Sequence, residues 1–228
     1  MVAMEGRNVS EAKPCEARRE LSSSDYVRAR RLLVRRDPVL ASIIRRVGPC
    51  GLASDQREDP FRALVEAIVW QQLSTRAAGT IFRRFLGLYD GRFPSPAEID
   101  ATADAALRGV GFSRQKTAYL RDLSRRVIDG RLHLDRLAAL DDGAVIDELV
   151  QVKGIGRWSA EMFLMFRLHR PDVLPVDDLG IVKAMQRAYR LRTRPTRERM
   201  RRIGEVWRPY RSVACWYLWA SVDGAPTP

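Results

Sequence analysis

Cysteine and histidine are scarce in this chain of 228 residues. Its three cysteines, Cys15, Cys50 and Cys215, are odd in number and far apart, which argues against a disulfide framework, a CxxC zinc site and a four-cysteine iron–sulfur cluster. The two histidines, His133 and His169, are isolated and lack the spacing of metal ligands. We therefore expect reduced thiols, with no iron–sulfur cluster and no zinc.

Long apolar runs are also missing. No stretch of eighteen apolar residues occurs, and the opening MVAMEGRNVSEAKPCEARRE has no apolar segment that could act as a signal peptide. These absences predict a cytoplasmic protein without a membrane partner, associated with the nucleoid if the source is bacterial. The hydrophobic content of 46% suffices for a core in one domain or in two closely joined lobes.

Acidic residues are outnumbered by basic ones, 28 against 40, and the net charge of +12 points to a polyanionic partner. Nucleic acid is the leading candidate, because counterion release from phosphates favours binding to a basic face. Nearly all of the positive charge is arginine, which genome composition also influences. An acidic protein or a membrane surface would match a similar total charge, so charge alone indicates only a class of partner.

The spacing of apolar residues predicts an all-α fold, because they recur at three- and four-residue steps and no segment alternates with a period of two. Residues 1–24 are poor in large apolar groups and are predicted to be a flexible tail, followed by one helical domain over 25–228. The predicted helices are two that end near Gly48-Pro49, one after Asp59-Pro60, one capped by Ser74, one over Ala97–Leu107, one from Ser113 to Val127, one from Asp141 or Asp142 to about Val150, one over about Arg157–Phe166 and one after Asp178.

The stretch VKGIGRWSAEMF places two glycines between two predicted helices. Glycine permits a positive φ and close approach of a backbone to another group, and the N–H groups of the second helix are free to bind an anion. The plainer alternative is a tight turn with Ile155 packed into the core and nothing bound. Spacing alone favours that alternative, because glycine pairs are common in turns between helices.

Two neighbouring motifs, LVQVKGIGRWSA and VLPVDDLGIVKA, together resemble the helix–hairpin–helix and Gly/Pro/Asp signature of the HhH-GPD DNA glycosylase superfamily. The similarity runs from about Asp37 to Trp219 and includes DPFRALVEAIVWQQLS, GFSRQKTAYL and WRPYRSVACWYLW. It is closest to the alkylpurine (3-methyladenine) DNA glycosylases, in a compact form without an N-terminal β-domain. The matching signature positions are Leu149, Val152, Gly154, Ile155, Gly156, Ala160 and Pro175.

The resemblance implies a two-lobed helical fold with a cleft between the lobes. One lobe would span about 62–174 and include the hairpin at 149–166, and the other would combine about 25–61 with 175–228. In this family the backbone of the hairpin turn, here Gly154, Ile155 and Gly156, binds a phosphate of one DNA strand. Hairpin carbonyls often hold a monovalent cation, Na⁺ or K⁺, and by position these are the carbonyls of Val150, Val152 and Ile155. No cofactor is required.

A catalytic aspartate is expected just after Pro175, where Asp177 and Asp178 precede an amphipathic helix. An aspartate there is by default a helix N-cap. The family's aspartate is followed at the third position by an apolar residue, which fits Asp178 with Ile181 better than Asp177 with its own third neighbour. We predict Asp178 as the catalytic carboxylate, with Asp177 as the alternative. A fixed anion stabilises the positive charge that develops on the sugar as an N-glycosidic bond breaks.

Several further positions carry expectations from the resemblance. Relatives with lyase activity place a lysine where this chain has Trp158, so a monofunctional hydrolase is predicted. Trp158 and Trp219 would stack on the extruded base, and cation–π attraction would favour a cationic alkylated purine. Gln72, with Leu73 beside it, would fill the gap left in the duplex. The alternatives are core packing for the tryptophans and a helix-cap contact for Leu73.

Together these features predict a monomeric, monofunctional DNA glycosylase that removes alkylated purines such as 3-methyladenine or 7-methylguanine from double-stranded DNA, the first step of base excision repair. Two alternatives stay open. The chain could be a damage-sensing DNA-binding protein without catalysis, or a glycosylase for another lesion such as a deaminated base. The paired presence of Asp178 and Trp219 favours an enzyme, because a binding protein does not need both.

Overall fold

The computed structural model describes residues 21–54 and 59–223, which form helices and loops without a strand. The prediction of an all-α fold is confirmed. Within these residues no helix is long and apolar enough to cross a membrane. The helices are α1 (Ser23–Arg36), α2 (Pro38–Val47), α3 (Pro60–Trp70), α4 (Thr75–Gly87), α5 (Pro96–Ala101), α6 (Asp104–Gly109), α7 (Arg114–Ile128), α8 (Asp142–Leu149), α9 (Arg157–Met162), α10 (Leu179–Ala188), α11 (Arg197–Gly204) and α12 (Arg211–Asp223).

Helix α1 begins at Ser23, two residues before the predicted start. Ser22 and Asp25 form a capping box in which each side chain accepts the other's backbone N–H. Most of the predicted tail, residues 1–20, lies outside the described residues. Asp37, followed by Pro38, caps α2 as the sequence indicated.

The single helix predicted over Ala97–Leu107 is wrong, because the structure divides this segment into α5 and α6. Thr102 ends α5 in an extended conformation and exchanges a hydrogen bond with the Tyr89 hydroxyl at 2.7 Å. Arg121 of α7 donates to the Thr102 carbonyl at 2.7 Å. The bond from Arg121 takes up a backbone carbonyl that a continuous helix would have paired internally.

The second helix of the hairpin also differs from the prediction. Helix α9 ends at Met162 and continues as a single wide π-helical turn over Phe163–Arg167. The wide turn closes with the Leu168 N–H donating to the Phe163 carbonyl at 3.0 Å. Such turns are frequent at functional sites, and an apolar periodicity of three and four residues does not distinguish them from a regular helix.

The helices pack in two groups. Helices α3 to α9, together with the wide turn, contact one another, as do α1, α2, α10 and α12. Helix α11 joins the second group through the short 3₁₀ turn over Glu205–Trp207, which packs on α1. The grouping follows the lobes that the resemblance implies, although their residue limits stay a prediction. The hairpin helix α9 and the start of α10 meet where the two groups adjoin.

Candidate active site and DNA interface

Asp178 is the N-cap of α10 and only 8% of its surface is exposed. Its Oδ1 accepts the Ile181 backbone N–H at 2.7 Å and the Trp219 indole N–H at 2.9 Å. Its Oδ2 accepts the Trp158 indole N–H at 2.8 Å. Asp178 is therefore both a helix cap and the candidate site carboxylate, because the same side chain caps α10 and accepts a hydrogen bond from each of the two tryptophans.

The contacts of Asp178 determine which of its oxygens a substrate can reach. A carboxylate oxygen accepts about two hydrogen bonds in its plane. Oδ1 already has two donors, whereas Oδ2 has only the indole of Trp158. Because these donors come from separate helices, they fix the carboxylate in one orientation. Oδ2 is the oxygen with acceptor capacity left for a reacting group.

Asp177 lies in a different environment. Asp177 is exposed, and its carboxylate forms an ion pair with the exposed Arg197 of α11. Both indole N–H groups donate to Asp178 rather than to Asp177. The geometry thus favours Asp178 over the alternative that the sequence left open.

The two tryptophans are unequally exposed. Trp158 is 45% exposed, whereas Trp219 is 9% exposed and its ring stacks on Phe166 with the ring centroids 5.9 Å apart and an interplanar angle of 26°. Phe166 belongs to the wide π-helical turn, which carries it across to α12. The structure therefore shows Trp219 orienting Asp178 and leaves Trp158 as the accessible ring. A base-stacking role for Trp219 stays a prediction.

Gly180 makes the contact between Trp219 and Asp178 possible. A Cβ at this position would lie 2.9 Å from Trp219 Cδ1 and 3.0 Å from Asp178 Oδ1, closer than side chains normally approach. The missing side chain leaves the space that the indole occupies. Sequence reasoning assigned no role to Gly180, because a glycine in the first turn of a helix has no distinctive pattern.

Glu161 is a second carboxylate near this site. It is buried, and burial raises its pKa, although the ion pair with Arg157 at 3.0 Å acts in the opposite direction. Arg157 itself is mostly exposed and immediately precedes Trp158. The sequence analysis missed this pair, although the spacing of four residues on one helix is a usual signal for it.

The two hairpin glycines are required for different reasons. Gly154 has φ of +84°, and a Cβ there would lie 2.1 Å from the ring of Tyr119, so only glycine fits. Gly156 has φ of −94°, and among the described residues other than its two chain neighbours no atom lies within 4 Å of its Cβ position. Ile155, between them, is buried, as the plain-turn alternative expected. Packing within the folded chain thus accounts for the glycine at position 154. It does not account for Gly156, whose backbone is open to an approaching group.

The joint between α3 and α4 carries the two residues predicted as the wedge. Gln72 is exposed and adopts φ of +58°, an uncommon conformation for a residue with a side chain. Leu73 is 38% exposed. Beyond the joint, Arg76 and Arg83 line a surface hollow on α4 of about 540 Å³. An exposed apolar residue thus stands beside a basic surface.

A model of the HhH-GPD superfamily of base excision DNA repair proteins matches residues 65–209. The chain belongs to this superfamily. A DNA-3-methyladenine glycosylase 1 from Schizosaccharomyces pombe is 38% identical over 168 residues, which are 73% of this chain and 74% of that relative. The match confirms the superfamily that the resemblance indicated.

Two solved HhH-GPD structures of related proteins have a similar fold. The S. pombe 3-methyladenine DNA glycosylase Mag1, solved in complex with abasic DNA, has a TM-score of 0.75 at 33% identity and covers 88% of this chain and 100% of that one. A DNA-3-methyladenine glycosidase from Bacillus halodurans has a TM-score of 0.76 at 36% identity and covers 90% and 93%. The similarity therefore extends over nearly the whole of each chain.

Proposed function

We propose that this HhH-GPD protein is a monofunctional DNA glycosylase that hydrolyses the N-glycosidic bond of alkylated purines in duplex DNA. The observation that carries the proposal is the Asp178 carboxylate, oriented by Trp158 and Trp219 where the two helix groups meet. The names of the relatives described above, which are 3-methyladenine glycosylases or glycosidases, support the substrate class.

The reaction needs little acid catalysis when the leaving base is cationic. A purine alkylated at N3 or N7 carries positive charge and leaves without being protonated. The extruded base would stack on the accessible ring of Trp158, where cation–π attraction contributes roughly 0.5–2 kcal/mol and favours damaged bases. Asp178 Oδ2 would then face the deoxyribose, stabilise its positive charge and orient the attacking water.

Monofunctional chemistry follows from the residue that faces Asp178. A lyase reaction requires an amine nucleophile that forms a Schiff base with the sugar. Trp158 occupies the position of that lysine in related enzymes. Strand cleavage should therefore appear only after alkali treatment of the abasic product.

The hairpin and the α3–α4 joint would grip and open the DNA. The exposed backbone at Gly156 suits a phosphate contact that is independent of base sequence. Gln72 or Leu73 would fill the space left by the extruded nucleotide, and the basic surface formed by Arg76 and Arg83 would contact the nearby backbone. The protein would act as a monomer on cytoplasmic DNA.

A monovalent cation would fit the hairpin carbonyls. The Val152 carbonyl accepts the Ile155 N–H at 3.1 Å, and within the described residues the carbonyls of Val150 and Ile155 have no backbone donor. These oxygens suit Na⁺ or K⁺, which prefer uncharged oxygen ligands. A bound cation would supply positive charge toward a DNA phosphate.

Release of free base decides the proposal. The purified protein should release 3-methyladenine or 7-methylguanine from an alkylated duplex, and the strand should break only after alkali. DNA binding without base release would indicate the damage-sensing alternative. Release of only deaminated bases from a panel of oligonucleotides would change the substrate and keep the chemistry.

A glycine substitution tests the hairpin. Gly156→Ala should weaken binding to undamaged and damaged duplex alike while leaving the melting temperature unchanged, because its Cβ meets only open space in the free protein. Gly87→Ala, at another glycine with open space around the Cβ position, is the matched control. Equal DNA affinity for the two variants would contradict the phosphate-binding role.

A further inference from the structure

Helix α7 touches both elements that are proposed to contact DNA, although it contributes nothing to the chemistry. Lys116, Tyr119 and Asp122 follow one another at three-residue steps and so share one face of α7. The sequence motif GFSRQKTAYL contains the first two of them, and no function has been assigned to either residue so far. Their contacts, together with one contact of Gln71, form a connected set.

At one end of this face, Lys116 braces the joint between α3 and α4. Its ammonium group donates to the Val69 carbonyl, in the last turn of α3 and three residues before Gln72. The side chain is partly buried, and desolvation lowers the pKa of its ammonium group. A partly desolvated cation has thus been placed on a carbonyl at the end of α3, where the free carbonyls of a helix favour positive charge.

At the other end, α7 supports the hairpin. The Tyr119 ring fills the space under Gly154, and the Asp122 carboxylate accepts the Lys153 backbone N–H at 2.9 Å. The Arg126 guanidinium also donates to Asp122, at 2.9 Å. The turn between α8 and α9 therefore rests on α7 through one packed ring and one charge-assisted hydrogen bond.

Gln71 closes the set by joining the two DNA-contact elements directly. Its side-chain Nε2 donates to the Gly154 carbonyl at 2.8 Å, across 83 residues of sequence. Gln71 is half-buried, whereas its neighbour Gln72 is exposed with φ of +58°. The residue beside the wedge is therefore tied to the hairpin, and the wedge residue itself projects outward.

We infer that Gln71 is a positioning residue which, with the face of α7 formed by Lys116, Tyr119 and Asp122, holds the wedge at a fixed distance from the hairpin. When the hairpin grips a phosphate, this rigid link sets how far Gln72 or Leu73 enters the base stack. Phosphate binding by the hairpin and insertion of the wedge residue are then coupled. The inference rests on the proposed function only in assigning the two elements to DNA.

Insertion can be measured separately from chemistry. In a duplex that carries 2-aminopurine next to a tetrahydrofuran abasic analogue, the fluorescence of 2-aminopurine increases (the duplex brightens) when the neighbouring bases are unstacked. The abasic analogue stands in place of the damaged nucleotide, so there is no damaged base to excise. Gln71→Leu removes the donor at nearly constant size. We expect it to slow the brightening about tenfold, the factor that corresponds to one lost hydrogen bond, while affinity for undamaged duplex and the melting temperature stay within error. Gln186→Leu, on α10, is the matched control.

Lys116→Met provides a second, independent variant, because it cuts the tie at the other end of the link. It should also slow brightening, with the same retention of affinity for undamaged duplex. Brightening at the wild-type rate in both variants would overturn the inference, as would a parallel loss of affinity, melting temperature and brightening, which marks a merely structural role. Normal brightening by a wild-type protein that releases no base would contradict the proposed function and leave the link standing.

Discussion

Asp37 and Asp178 have nearly the same local chemistry in two regions of the molecule. Each caps a helix: Asp37 Oδ1 accepts the N–H groups of Val39 and Leu40, and Asp178 Oδ1 accepts that of Ile181. Each also accepts an indole N–H, from Trp207 at 2.8 Å in one case and from Trp158 at 2.8 Å in the other.

The difference lies in the exposure of the donors. Trp207 is fully buried, and the Tyr189 hydroxyl that also donates to Asp37 is partly buried, so that carboxylate joins helices inside the core. Trp158 is 45% exposed, so the second oxygen of Asp178 is covered by a side chain at the surface. A buried N-cap carboxylate becomes a candidate catalyst only when one of its oxygens can be reached by a substrate.

The largest effect is expected for Asp178→Asn. The amide can still cap α10 through its oxygen, but it carries no charge to stabilise the sugar cation. Excision should fall by about 10²–10³-fold, as for other preorganised electrostatic groups, with DNA binding and the melting temperature nearly unchanged. Measured release of 3-methyladenine checks this, with Asp177→Asn as the control that should keep normal turnover. A normal rate for the Asp178 variant would remove the assignment.

The same substitution at Asp37 should lower the stability of the protein and leave excision unchanged. In Asp37→Asn the new amide group faces the buried Trp207 N–H, which is left without an acceptor. An unsatisfied buried donor costs about 1–3 kcal/mol, so the free energy of unfolding in urea should fall by that amount. Excision per folded molecule should stay at the wild-type level, and a specific loss of excision would end the distinction between the two sites.

Exchanging the indoles sharpens the contrast. Trp207→Phe should lower the melting temperature, because it leaves a small cavity and removes one of the two donors to a buried carboxylate oxygen, which keeps only the Tyr189 hydroxyl. Trp158→Phe should leave the melting temperature almost unchanged, since water can replace an exposed donor, but it should slow excision about tenfold by loosening Asp178 and weakening cation–π attraction. Thermal melting and single-turnover excision, measured side by side, test both. Equal losses of stability in the two variants would show that the exposure of the tryptophan does not distinguish the Asp178 site from the Asp37 site.

The smallest effect is expected for Gly180→Ala. The added methyl would push Trp219 away from Asp178, and a distortion of this kind costs about 1 kcal/mol. Excision should slow about fivefold. Gly87→Ala serves as the control, because its Cβ meets open space. Unchanged excision by the Gly180 variant would show that the Trp219 contact does not matter for the reaction.

Much of this arrangement could be predicted from the sequence, because helix periodicity and capping residues are local signals. Ser74, Ser113 and Asp178 mark helix starts, and all of them cap helices in the structure. The division into α5 and α6 could not be foreseen, since a distant hydrogen bond from Arg121 contributes to it. The wide turn at Phe163–Arg167 likewise keeps the apolar spacing of an ordinary helix.

Site residues divide in the same way. The motif positions Trp158, Asp178 and Trp219, which the sequence singled out, lie in contact in the structure, while their roles in the reaction stay predictions. Residues that act through long-range contacts were missed, because neither Gln71 nor Gly180 has a local pattern that reveals its partner. Such contacts depend on tertiary geometry, which a single sequence does not encode in any short spacing.

The open surroundings of Gly156 have a consequence for mutational surveys. Apart from Gly156 and its two chain neighbours, no atom of the residues that the structure describes lies within 4 Å of the place where a side chain would begin. A library sorted by protease resistance or by expression level would therefore score replacements at this position as silent. The same library sorted by survival of cells under an alkylating agent should score these replacements as damaging. Positions that are silent in the stability screen but damaging in the survival screen would therefore mark the DNA-binding surface.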